Sequence, residues 1–380
     1  MKKVIFDLMV SQPNLGSKFH GGGEYTKTVF RELCVNYCKD VNLSAFYDPD
    51  RFIDEWVLNV AKEHNVVLYT VHNYDEVSDL QAFQEADTFV ACLMKGVDLV
   101  RKPRNMKVIG VYHGFRELEK PIDSTSPLYE KTLYRFIRTY IKVIFKGAYY
   151  RRKYEAHLKK INACTDIIGV SEHSGYAARV FFPGYDRNHI HVFYSPQKYV
   201  EMNEKMKNIS CKKNILMLGG DRWVKNIYRG ILALDSLFSN NQLEEYKVRI
   251  VGGIPDRIAN KIHNKDRFIG LNYLSSEELE REYKACDFFF YPTLNEGFGY
   301  PPQEAMKYGK TCVISAVNSL IEVYENSAYY CNPYDIEEIE CRLLQASENK
   351  ISEMVIEKQY NKIIKRQVED LKGLCDLIIV

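Results

Sequence analysis

The stretch Asn295–Gly309, N-E-G-F-G-Y-P-P-Q-E-A-M-K-Y-G, places two carboxylates on either side of a glycine-rich turn. Just upstream, Ala285–Pro292 is a short apolar and aromatic run that ends at a proline, which predicts a buried strand. Pro301 and Pro302 suit the first turn of a following helix. The turn is therefore expected beyond the carboxyl end of a strand, where open α/β sheets bind ligands.

The two carboxylates of this stretch are Glu296, expected on the loop, and Glu304, expected in the first turn of the helix; they are eight positions apart. Between them, the backbone N–H groups of Gly297, Phe298 and Gly299 are expected to face an anion at the start of the helix. Two alternatives stay open on these residues alone. The acids could be a solvated loop residue and a helix acid favoured by the dipole, or the paired acids of a glycosidase.

The segments around this E-x7-E element extend the pattern. Leu274–Leu279, Tyr283–Asp287 and Ser319–Val323 follow in the order and spacing found in the retaining glycosyltransferases of family 4, which have the GT-B fold. The chain resembles that family most from about Asn214 to Asp335. The resemblance implies that Glu304 holds the nucleotide ribose hydroxyls and that Glu296 approaches the ring hydroxyls of the donor sugar. A carboxylate suits both tasks, because it accepts two hydrogen bonds from a vicinal diol.

A second informative segment is Lys213–Tyr228, an apolar strand pattern that turns through Gly219 and Gly220 into a basic stretch. It is similar to the phosphate corner of the same family. The resemblance implies that Arg222 and Lys225 grip the donor diphosphate and stabilise the charge of the departing leaving group. From this segment alone, an exposed basic helix start is an equal alternative.

The amino-terminal half carries a fainter form of the same pattern. Lys3–Leu8 predicts a strand, and Gly21–Thr28 predicts a glycine-rich loop that opens a helix. Glycine allows close backbone approach to a ligand. The resemblance therefore places Gly22 and Gly23 near the donor phosphate, although a flexible connector would have the same composition.

A further strand, Lys107–Tyr112, precedes His113. The resemblance implies that this histidine lies beside the donor sugar, whereas a purely structural histidine is the alternative. Ile167–Glu172 resembles the family strand that ends in Ser-Glu. The sequence departs from the family at Tyr194–Pro196, where many members carry Asn-Gly, so acceptor contacts are not inferred from that loop.

The fold class predicted is α/β. At 380 residues the chain is long enough for two domains, and the resemblance implies GT-B, with two Rossmann-like βαβ domains facing across a cleft. We expect an acceptor-binding domain at 1–200, a nucleotide-sugar domain at 201–365 and a C-terminal helix at 366–380 that returns to the first domain. The polar, lysine-rich segment Ser195–Lys213 is the expected linker.

The ten cysteines contain no C-x-x-C pair and are expected to be small buried side chains in a reducing compartment. No metal-ligand cluster is evident. Asp48-Pro-Asp50 superficially matches a D-x-D metal motif, but the proline favours a turn. Members of the resembled family need no bound metal, so neither a cofactor nor a metal is expected.

The chain has a net charge of +2, but its charge is unevenly distributed. Between Lys131 and Lys160 there are ten Lys or Arg residues and one acidic residue, Glu155. A helical arrangement puts basic residues on one side, and its apolar residues, such as Ile137, Ile141 and Ile144, are expected to pack inside the domain. The basic surface predicted to face an anionic membrane or acceptor comprises Arg135, Arg138, Lys142, Lys146, Arg151, Arg152 and Lys153. A solvated helix face is the alternative. Near-neutral overall charge and the lack of a nucleic-acid motif argue against nucleic acid.

The apolar run at the amino terminus is interrupted by Asp7 and is too short for a signal peptide. No segment has the eighteen or so apolar residues that span a bilayer. We therefore expect a cytoplasmic protein, peripheral on the cytoplasmic membrane face.

Taken with the resemblance, these features predict a retaining, metal-independent glycosyltransferase. Its donor would be a UDP- or GDP-sugar, and its acceptor a hydroxyl of a glycan or lipid-linked substrate in cell-surface polysaccharide or glycolipid synthesis. Two other functions remain open: a non-catalytic nucleotide-sugar-binding or scaffolding protein, and a sugar-nucleotide epimerase on the same fold.

Overall fold

The computed structural model describes residues 1–13, 21–197 and 213–380. These form two compact units. The first comprises Met1–Phe115, Lys153–Asn203 and Ile364–Val380, and the second comprises Arg116–Arg152 and Glu204–Ile363. Most of the segment expected to link the domains lies outside the described residues.

The first unit is built on a seven-stranded parallel sheet. The strand order is β3-β2-β1-β4-β5-β6-β7. The strands are β1 Lys2–Asp7, β2 Val41–Tyr47, β3 Val67–Thr70, β4 Thr88–Ala91, β5 Lys107–Tyr112, β6 Asp166–Gly169 and β7 Ile190–Val192.

The second unit has a six-stranded parallel sheet with the order β10-β9-β8-β11-β12-β13. Its strands are β8 Asn214–Leu218, β9 Lys247–Val251, β10 Phe268–Leu271, β11 Phe288–Tyr291, β12 Thr311–Ser315 and β13 Tyr329–Cys331. Both sheets place the first strand of their unit in the interior, with the order reversing beside it, as in doubly wound α/β folds.

Helices alternate with these strands. The α-helices are α1 Gly21–Glu32, α2 Glu55–Glu63, α3 Tyr74–Asp79, α4 Gln81–Gln84, α5 Arg116–Glu119, α6 Leu133–Ile144, α7 Lys146–Ala163, α8 Glu172–Phe181, α9 Ile227–Ser239, α10 Asp256–Ala259, α11 Ser276–Ala285, α12 Tyr300–Met306, α13 Ser319–Tyr324, α14 Ile336–Glu348 and α15 Glu353–Ile379. A π-helical segment, Leu33–Tyr37, continues α1, and short 3-10 turns occupy Ser126–Tyr129, Arg187–His189, Trp223–Lys225 and Lys265–Arg267.

The core of the second unit explains why its strands are continuous apolar runs. All four residues of β11, Phe288–Tyr291, have 0% exposure. A parallel strand is covered by helices on both faces and therefore has no solvent side to fill with polar residues. On one face, Ile215 and Phe290 pack with Leu234 of α9 and Leu343 of α14. The sheet is thus rigidly held at the point where its loops carry the candidate site.

One segment lies in a different unit from the one expected. Residues 116–152 were predicted within the amino-terminal domain, but they belong to the second unit. Tyr129 is buried there, and its hydroxyl accepts a hydrogen bond from the backbone N–H of Tyr228 (2.9 Å). The indole of Trp223 donates to a carboxylate oxygen of Asp123 (3.0 Å). These are contacts between residues about 100 positions apart, which local sequence patterns do not encode.

The last helix, α15, starts in one unit and ends in the other. Its residues to Ile363 belong to the second unit, where Gln359 donates to the carbonyl of Val323 (2.8 Å). From Ile364 onward it belongs to the first unit, where Gln367 donates to the carbonyl of Ser195 (2.6 Å). Within the described residues, none of the helices is both long enough and apolar enough to cross a membrane.

Candidate active site

The site is organised by two neighbouring strands of the second sheet. β8 pairs with β11 in parallel, with Ile215 opposite Phe288, so the carboxyl ends of the two strands point to the same edge. The loop after β8 carries Arg222 and Lys225, and the loop after β11 carries Glu296. Residues 71 positions apart in sequence therefore meet in space.

Lys225 and Glu296 form an ion pair with 2.6 Å between Nζ and Oε1. Their side chains are only 10% and 12% exposed. The alternatives of an exposed basic helix start and a solvated loop acid are therefore wrong for these two residues. Lys225 also precedes α9 rather than lying within it.

Two further side chains join this pair, and the sequence analysis did not identify either. Tyr291, the last residue of β11, donates to Glu296 Oε1 (2.8 Å), and Thr293 donates to the same oxygen (2.8 Å). Lys225 in turn donates to the Tyr291 hydroxyl. Oε1 thus collects all three bonds, and in the described part of the chain Oε2 accepts none. The carboxylate is fixed by one oxygen and can present the other to a ligand.

The charges of this cluster are set by burial and by each other. Burial raises the pKa of Glu296, but the charge and hydrogen bond of Lys225, together with the hydrogen bonds from Thr293 and Tyr291, outweigh it, so the net effect lowers that pKa below its ordinary value. Burial lowers the pKa of Lys225, Glu296 opposes the lowering, and Arg222 and Arg116 add to it. The site therefore holds an ionised carboxylate beside a group of cations.

Arg222 and Arg116 are the exposed members of that group. Both side chains are exposed, and Arg222 makes no ion pair with any described residue. Arg116 was not singled out in the sequence, because it is distant along the chain; it starts α5 and contacts Glu117 at 3.9 Å. Positive charge that is not neutralised locally favours an anionic ligand.

The turn Gly297–Gly299 is held from behind by α13. Ser319 donates to the carbonyl of Phe298 (3.1 Å), and the Tyr324 hydroxyl donates to the carbonyl of Gly299. Gly299 has a φ of 97°, and a Cβ at this position would approach Leu320 Cδ2 to 2.4 Å. Only glycine fits, so the E-x7-E turn has a fixed shape before any ligand binds.

Glu304 lies in the second half of the short helix α12, beyond the first turn in which it was expected. It is half-buried, and its Oε2 accepts a hydrogen bond from the hydroxyl of Tyr283 in α11 (2.9 Å). Tyr283 itself is buried. Each carboxylate of the pair is therefore oriented by a buried tyrosine, Glu296 by Tyr291 and Glu304 by Tyr283.

The glycines of the β8 corner pack closely against neighbouring groups. A Cβ on Gly220 would lie 1.7 Å from the carbonyl oxygen of Gly253, so the loops after β8 and β9 touch through their backbones. Asn226 has a φ of 56° and is buried, and its side chain donates to the carbonyls of Pro292 and Pro333 (3.0 and 2.8 Å). Asparagine tolerates this left-handed conformation, and it ties the corner to the strand bearing Tyr291.

A cavity of about 800 Å³ opens at the carboxyl ends of β8, β9 and β10. Asp221, Gly252, Gly253 and Tyr273 line it, together with Tyr129 of the 116–152 segment. Tyr273 donates to Asp221 (2.8 Å), which closes one side. This volume falls within the usual range for small-molecule sites, and the sequence analysis did not predict it.

In the first unit, the predicted site residues gather at the ends of β4 and β5. His113 Nε2 donates to the carbonyl of Cys92 (2.9 Å), and its ring packs edge-on against Tyr25 of α1 with centroids 4.9 Å apart. Gly22 and Gly23 were predicted in a loop, but both lie in the first turn of α1. A Cβ on Gly22 would approach Leu93 to 2.7 Å, so close helix packing accounts for this glycine.

The basic surface predicted between 135 and 153 is divided. Arg138, Lys146, Arg151 and Arg152 are exposed, and Lys153 is half-buried. Arg135 and Lys142 line a second cavity of about 460 Å³ beside Trp223. The apolar residues of α6 were expected to pack inside the domain, and this is wrong for Ile137, Tyr140, Ile141 and Ile144, which are 48% to 60% exposed.

A group of possible metal ligands lies in the first unit. Within the described ranges, Asp48, Asp50 and His72 have ligand atoms within 4.8 Å of one another. Asp48 also accepts the backbone N–H of Asp50 (3.0 Å), which is a turn of the kind expected from Asp-Pro-Asp. Two of the three residues are exposed. The group lies in the first unit at the surface, and no residue of the Lys225 and Glu296 cluster belongs to it.

Sequence comparisons match part of the chain to a known family. Residues 201–367 match the model of the family described as glycosyl transferases, group 1. The chain is 36% identical over 76 residues to the serotype-specific mannosyltransferase WbdA of Escherichia coli. It is 29% identical over 159 residues to the O-antigen chain mannosyltransferase RfbU of Salmonella typhimurium. These matches cover 20% and 40% of this chain, and only 9% and 42% of the two relatives.

A structural comparison covers the whole chain. The crystal structure of HepE from Anabaena, solved with UDP and glucose, aligns with a TM-score of 0.64 over 100% of this chain and 99% of that chain. The sequences are 13% identical over the alignment, so the likeness establishes a common fold. The two parallel sheets flanked by helices agree with it.

Proposed function

We propose that this chain, whose residues 201–367 match the model described as glycosyl transferases, group 1, and whose fold is GT-B, is a retaining, metal-independent glycosyltransferase. It moves a hexosyl group from a UDP- or GDP-sugar to a hydroxyl of a glycan or lipid-linked acceptor. The names of its relatives support a role in cell-surface polysaccharide or glycolipid synthesis, since WbdA and RfbU are mannosyltransferases and RfbU acts on O-antigen chains.

The observation that carries this proposal is the oriented Lys225–Glu296 pair. Burying an ion pair costs desolvation free energy, and replacing it by apolar residues is often neutral or stabilising. The cluster is therefore poorly explained by stability alone. Its geometry suits a donor sugar, because Oε1 of Glu296 is occupied by Lys225, Tyr291 and Thr293 while Oε2 can accept sugar hydroxyls.

In this mechanism the positively charged side chains stabilise the leaving group. As the bond between the anomeric carbon and the diphosphate breaks, negative charge grows on the diphosphate, and Arg222 and Lys225 stabilise it. The turn Gly297–Gly299 adds backbone N–H groups at the same place. The acceptor hydroxyl attacks from the face that the diphosphate leaves, and a phosphate oxygen takes its proton. Such fixed charges act where charge develops and are each worth about 10²- to 10³-fold in turnover.

In this proposal, the nucleoside part of the donor also binds the second unit, at Glu304 and in the cavity of about 800 Å³. Glu304 accepts the ribose hydroxyls, with Tyr283 fixing its orientation. The base occupies the cavity of about 800 Å³ beyond β8, β9 and β10. A UDP or a GDP is accommodated by that volume, and the bound UDP of HepE is a precedent in a protein of the same fold.

The first unit supplies the acceptor side in this proposal. His113, Gly22 and Gly23 of this unit are the candidates for contacts with the sugar and the phosphate of the donor. The acceptor is membrane-bound, and the protein works on the cytoplasmic face of the membrane. No step of the mechanism uses a metal, because Arg222 and Lys225 provide the positive charge that a bound cation would otherwise supply.

Donor binding can be tested by a thermal-shift panel of UDP, GDP, ADP, TDP and CMP in the presence of EDTA. A nucleotide at about a hundred times its dissociation constant stabilises the folded state by about 2.7 kcal/mol. One nucleotide should raise the midpoint of wild type, and Glu304→Gln should lose most of that response. Glu348→Gln, an exposed glutamate in the same unit, is the matched control and should keep it. A response that requires Mg²⁺ would contradict metal independence.

Turnover separates the remaining alternatives. With the donor that binds, we expect sugar transfer only when an acceptor is present, and a product whose anomeric configuration, measured by NMR, matches the donor. An altered sugar nucleotide without acceptor would identify an epimerase. Nucleotide binding without either product, tested across lipid-linked and free glycan acceptors, would favour the scaffold. An inverted anomeric centre would overturn the retaining assignment.

A further inference from the structure

Exposed large apolar side chains are unusually concentrated on α6. Of the twenty that are exposed in the described part of the chain, seven lie between Leu133 and Phe145. They are Leu133, Tyr134, Ile137, Tyr140, Ile141, Ile144 and Phe145, each between 48% and 73% exposed. Single exposed apolar residues are ordinary, but a contiguous group marks an interaction site.

These side chains form one face of the helix. A rotation of about 100° per residue places them on an arc of roughly 140°. The opposite side holds α6 on the second unit. There Thr139 is buried and donates to Glu130 (2.8 Å), and the ring of Phe136 lies under the guanidinium of Arg257 at 4.6 Å. The exposed face is therefore a fixed feature of the folded unit.

Basic residues line the edge of this face. Arg138 follows the apolar arc directly on the helical wheel, with Lys142 and Arg135 beyond it, and Lys146 continues the series at the start of α7. Over Lys131–Lys160 the ten Lys or Arg against one acid leave a charge of +9. A protein partner would need a matching acidic and apolar surface, whereas a bilayer with anionic headgroups presents both properties everywhere.

We propose that the apolar face of α6 inserts into the interface of an anionic lipid bilayer, with Arg138 and Lys146 contacting the headgroups. The helix lies in the membrane plane, since its 12 residues are too few to span a bilayer. Tyr134 and Tyr140 suit this depth, because tyrosine is enriched where apolar chains meet headgroups. The basic surface predicted from the sequence thus forms the edge of the membrane-binding site, and the apolar face of α6 forms its centre.

This inference rests on the proposed function for its purpose, because a lipid-linked acceptor lies at a bilayer. Its test needs no turnover. The full chain is floated with vesicles of phosphatidylcholine alone or of phosphatidylcholine mixed with phosphatidylglycerol. Wild type should float with the mixed vesicles and bind the neutral ones far more weakly.

Three double variants identify the surface. Ile137→Glu with Ile141→Glu should reduce binding to mixed vesicles at least about tenfold, because two buried apolar contacts are lost. Arg138→Gln with Lys146→Gln should reduce it about 25-fold, at about fivefold per charge, without changing binding to neutral vesicles. Tyr176→Glu with Val180→Glu alters two apolar residues of α8 that are more exposed than the two isoleucines, and it should leave binding unchanged.

Several results would contradict membrane insertion, and each has a different meaning. No flotation of wild type with either vesicle overturns the proposal, and so does equal loss in the α8 control. Binding that depends on the charges but not on Ile137 and Ile141 overturns insertion. If the isoleucine variant instead converts a dimer to a monomer in light scattering, a second copy covers the face. Nucleotide thermal shifts on the same variants report the donor site separately, so failure of membrane binding leaves that part of the function standing.

Discussion

The corner around Lys225 and the helix α6 depart in opposite ways from the usual distribution of side chains. The corner buries a lysine and a glutamate, whose side chains are 10% and 12% exposed. On α6, isoleucines such as Ile144 are exposed by 60%. Charged residues are seldom buried unless paired, and large apolar patches are seldom left in water. Both regions lie in the second unit, so the difference belongs to the sites and not to two different cores.

The difference indicates what each region requires of a ligand. At the corner, the charges are already partnered and oriented, so the protein has met the desolvation cost before an anionic donor arrives. On α6 the apolar side chains are in contact with water, which costs free energy. That cost is removed only when a binding partner covers the surface. This difference agrees with the two proposals, in which the first region is preorganised for catalysis and the second binds a membrane.

The largest effect is expected from breaking the corner. Lys225→Met leaves Glu296 buried without its cation, which should cost roughly 3 to 5 kcal/mol of unfolding free energy. Turnover should fall about 10²- to 10³-fold, because the leaving group loses its stabilising charge. Urea unfolding and steady-state kinetics measure the two quantities separately.

The double variant Lys225→Met with Glu296→Gln separates structure from catalysis. It removes both charges, so most of the lost stability should return while activity stays low. Activity that recovers together with stability would mean that the pair is only structural. Lys307→Met, an exposed lysine next to α12, is the control and should alter neither quantity appreciably.

A buried acid without such a partner sharpens the comparison. Asp7, at the end of β1, is fully buried, and its carboxylate accepts the hydroxyl of Tyr74 (3.0 Å) and the N–H of Val10 (3.3 Å). Burial raises the pKa of Asp7 to about 7, against an ordinary value of 3.8. Between those values the folded state holds a proton that the unfolded state releases. Stability from this group is therefore present below about pH 4 and is lost as pH rises towards 7.

Asp7→Asn should remove that pH dependence. The difference in unfolding free energy between about pH 5 and about pH 8 should shrink by up to about 2.7 kcal/mol, which corresponds to the roughly two pH units between pH 5 and the folded-state pKa of about 7. Urea unfolding at both pH values measures it. Asp40→Asn changes an exposed aspartate of the same unit and should have no such effect. A pH dependence that survives in Asp7→Asn would mean that other groups produce it.

The sequence predicts where the strands lie better than it predicts which side chains are buried and what they contact. Lys107–Tyr112 has the same bounds in the structure as in the prediction, because a buried parallel strand is a continuous apolar run. Gly21–Gly23, predicted as a loop, are helical, and Gly22 packs closely against Leu93, a contact made across the unit. Burial of Lys225 depends on Glu296, 71 positions away, and no local period contains that information. The apolar arc of α6 was assigned to the core because periodicity shows which residues share a face but not what the face meets.

The tyrosines show the same limit within the site. Both Tyr283 and Tyr291 belong to aromatic segments that the sequence marks as buried, yet their hydroxyls orient Glu304 and Glu296. We expect Tyr291→Phe to lower kcat at least about tenfold, since one hydrogen bond to a charged group is worth about 1.5 to 3 kcal/mol. Tyr283→Phe should instead raise KM for the donor by a similar factor, because in the proposed function Glu304 binds the ribose in both ground and transition states.

Steady-state kinetics with the donor varied tests this division, and each variant is the control for the other. If both raise KM alone, Glu296 binds the donor without a role in the chemical step. If both lower kcat alone, Glu304 is not a ground-state ribose ligand.

The smallest effect is expected on the stability of α6. Ile141→Ala removes a side chain that is 49% exposed, and such substitutions usually change the unfolding free energy by no more than about 0.5 kcal/mol. Ile231→Ala, the same substitution at a residue 1% exposed in α9, should cost about 2 to 5 kcal/mol. Urea unfolding of the two variants without vesicles compares them directly. A cost at Ile141 that approaches the cost at Ile231 would place the apolar arc in a protein interior and remove the basis for membrane insertion. A small cost at Ile141 with a large loss of flotation would show that this side chain is kept for what it binds, because its removal costs the fold almost nothing.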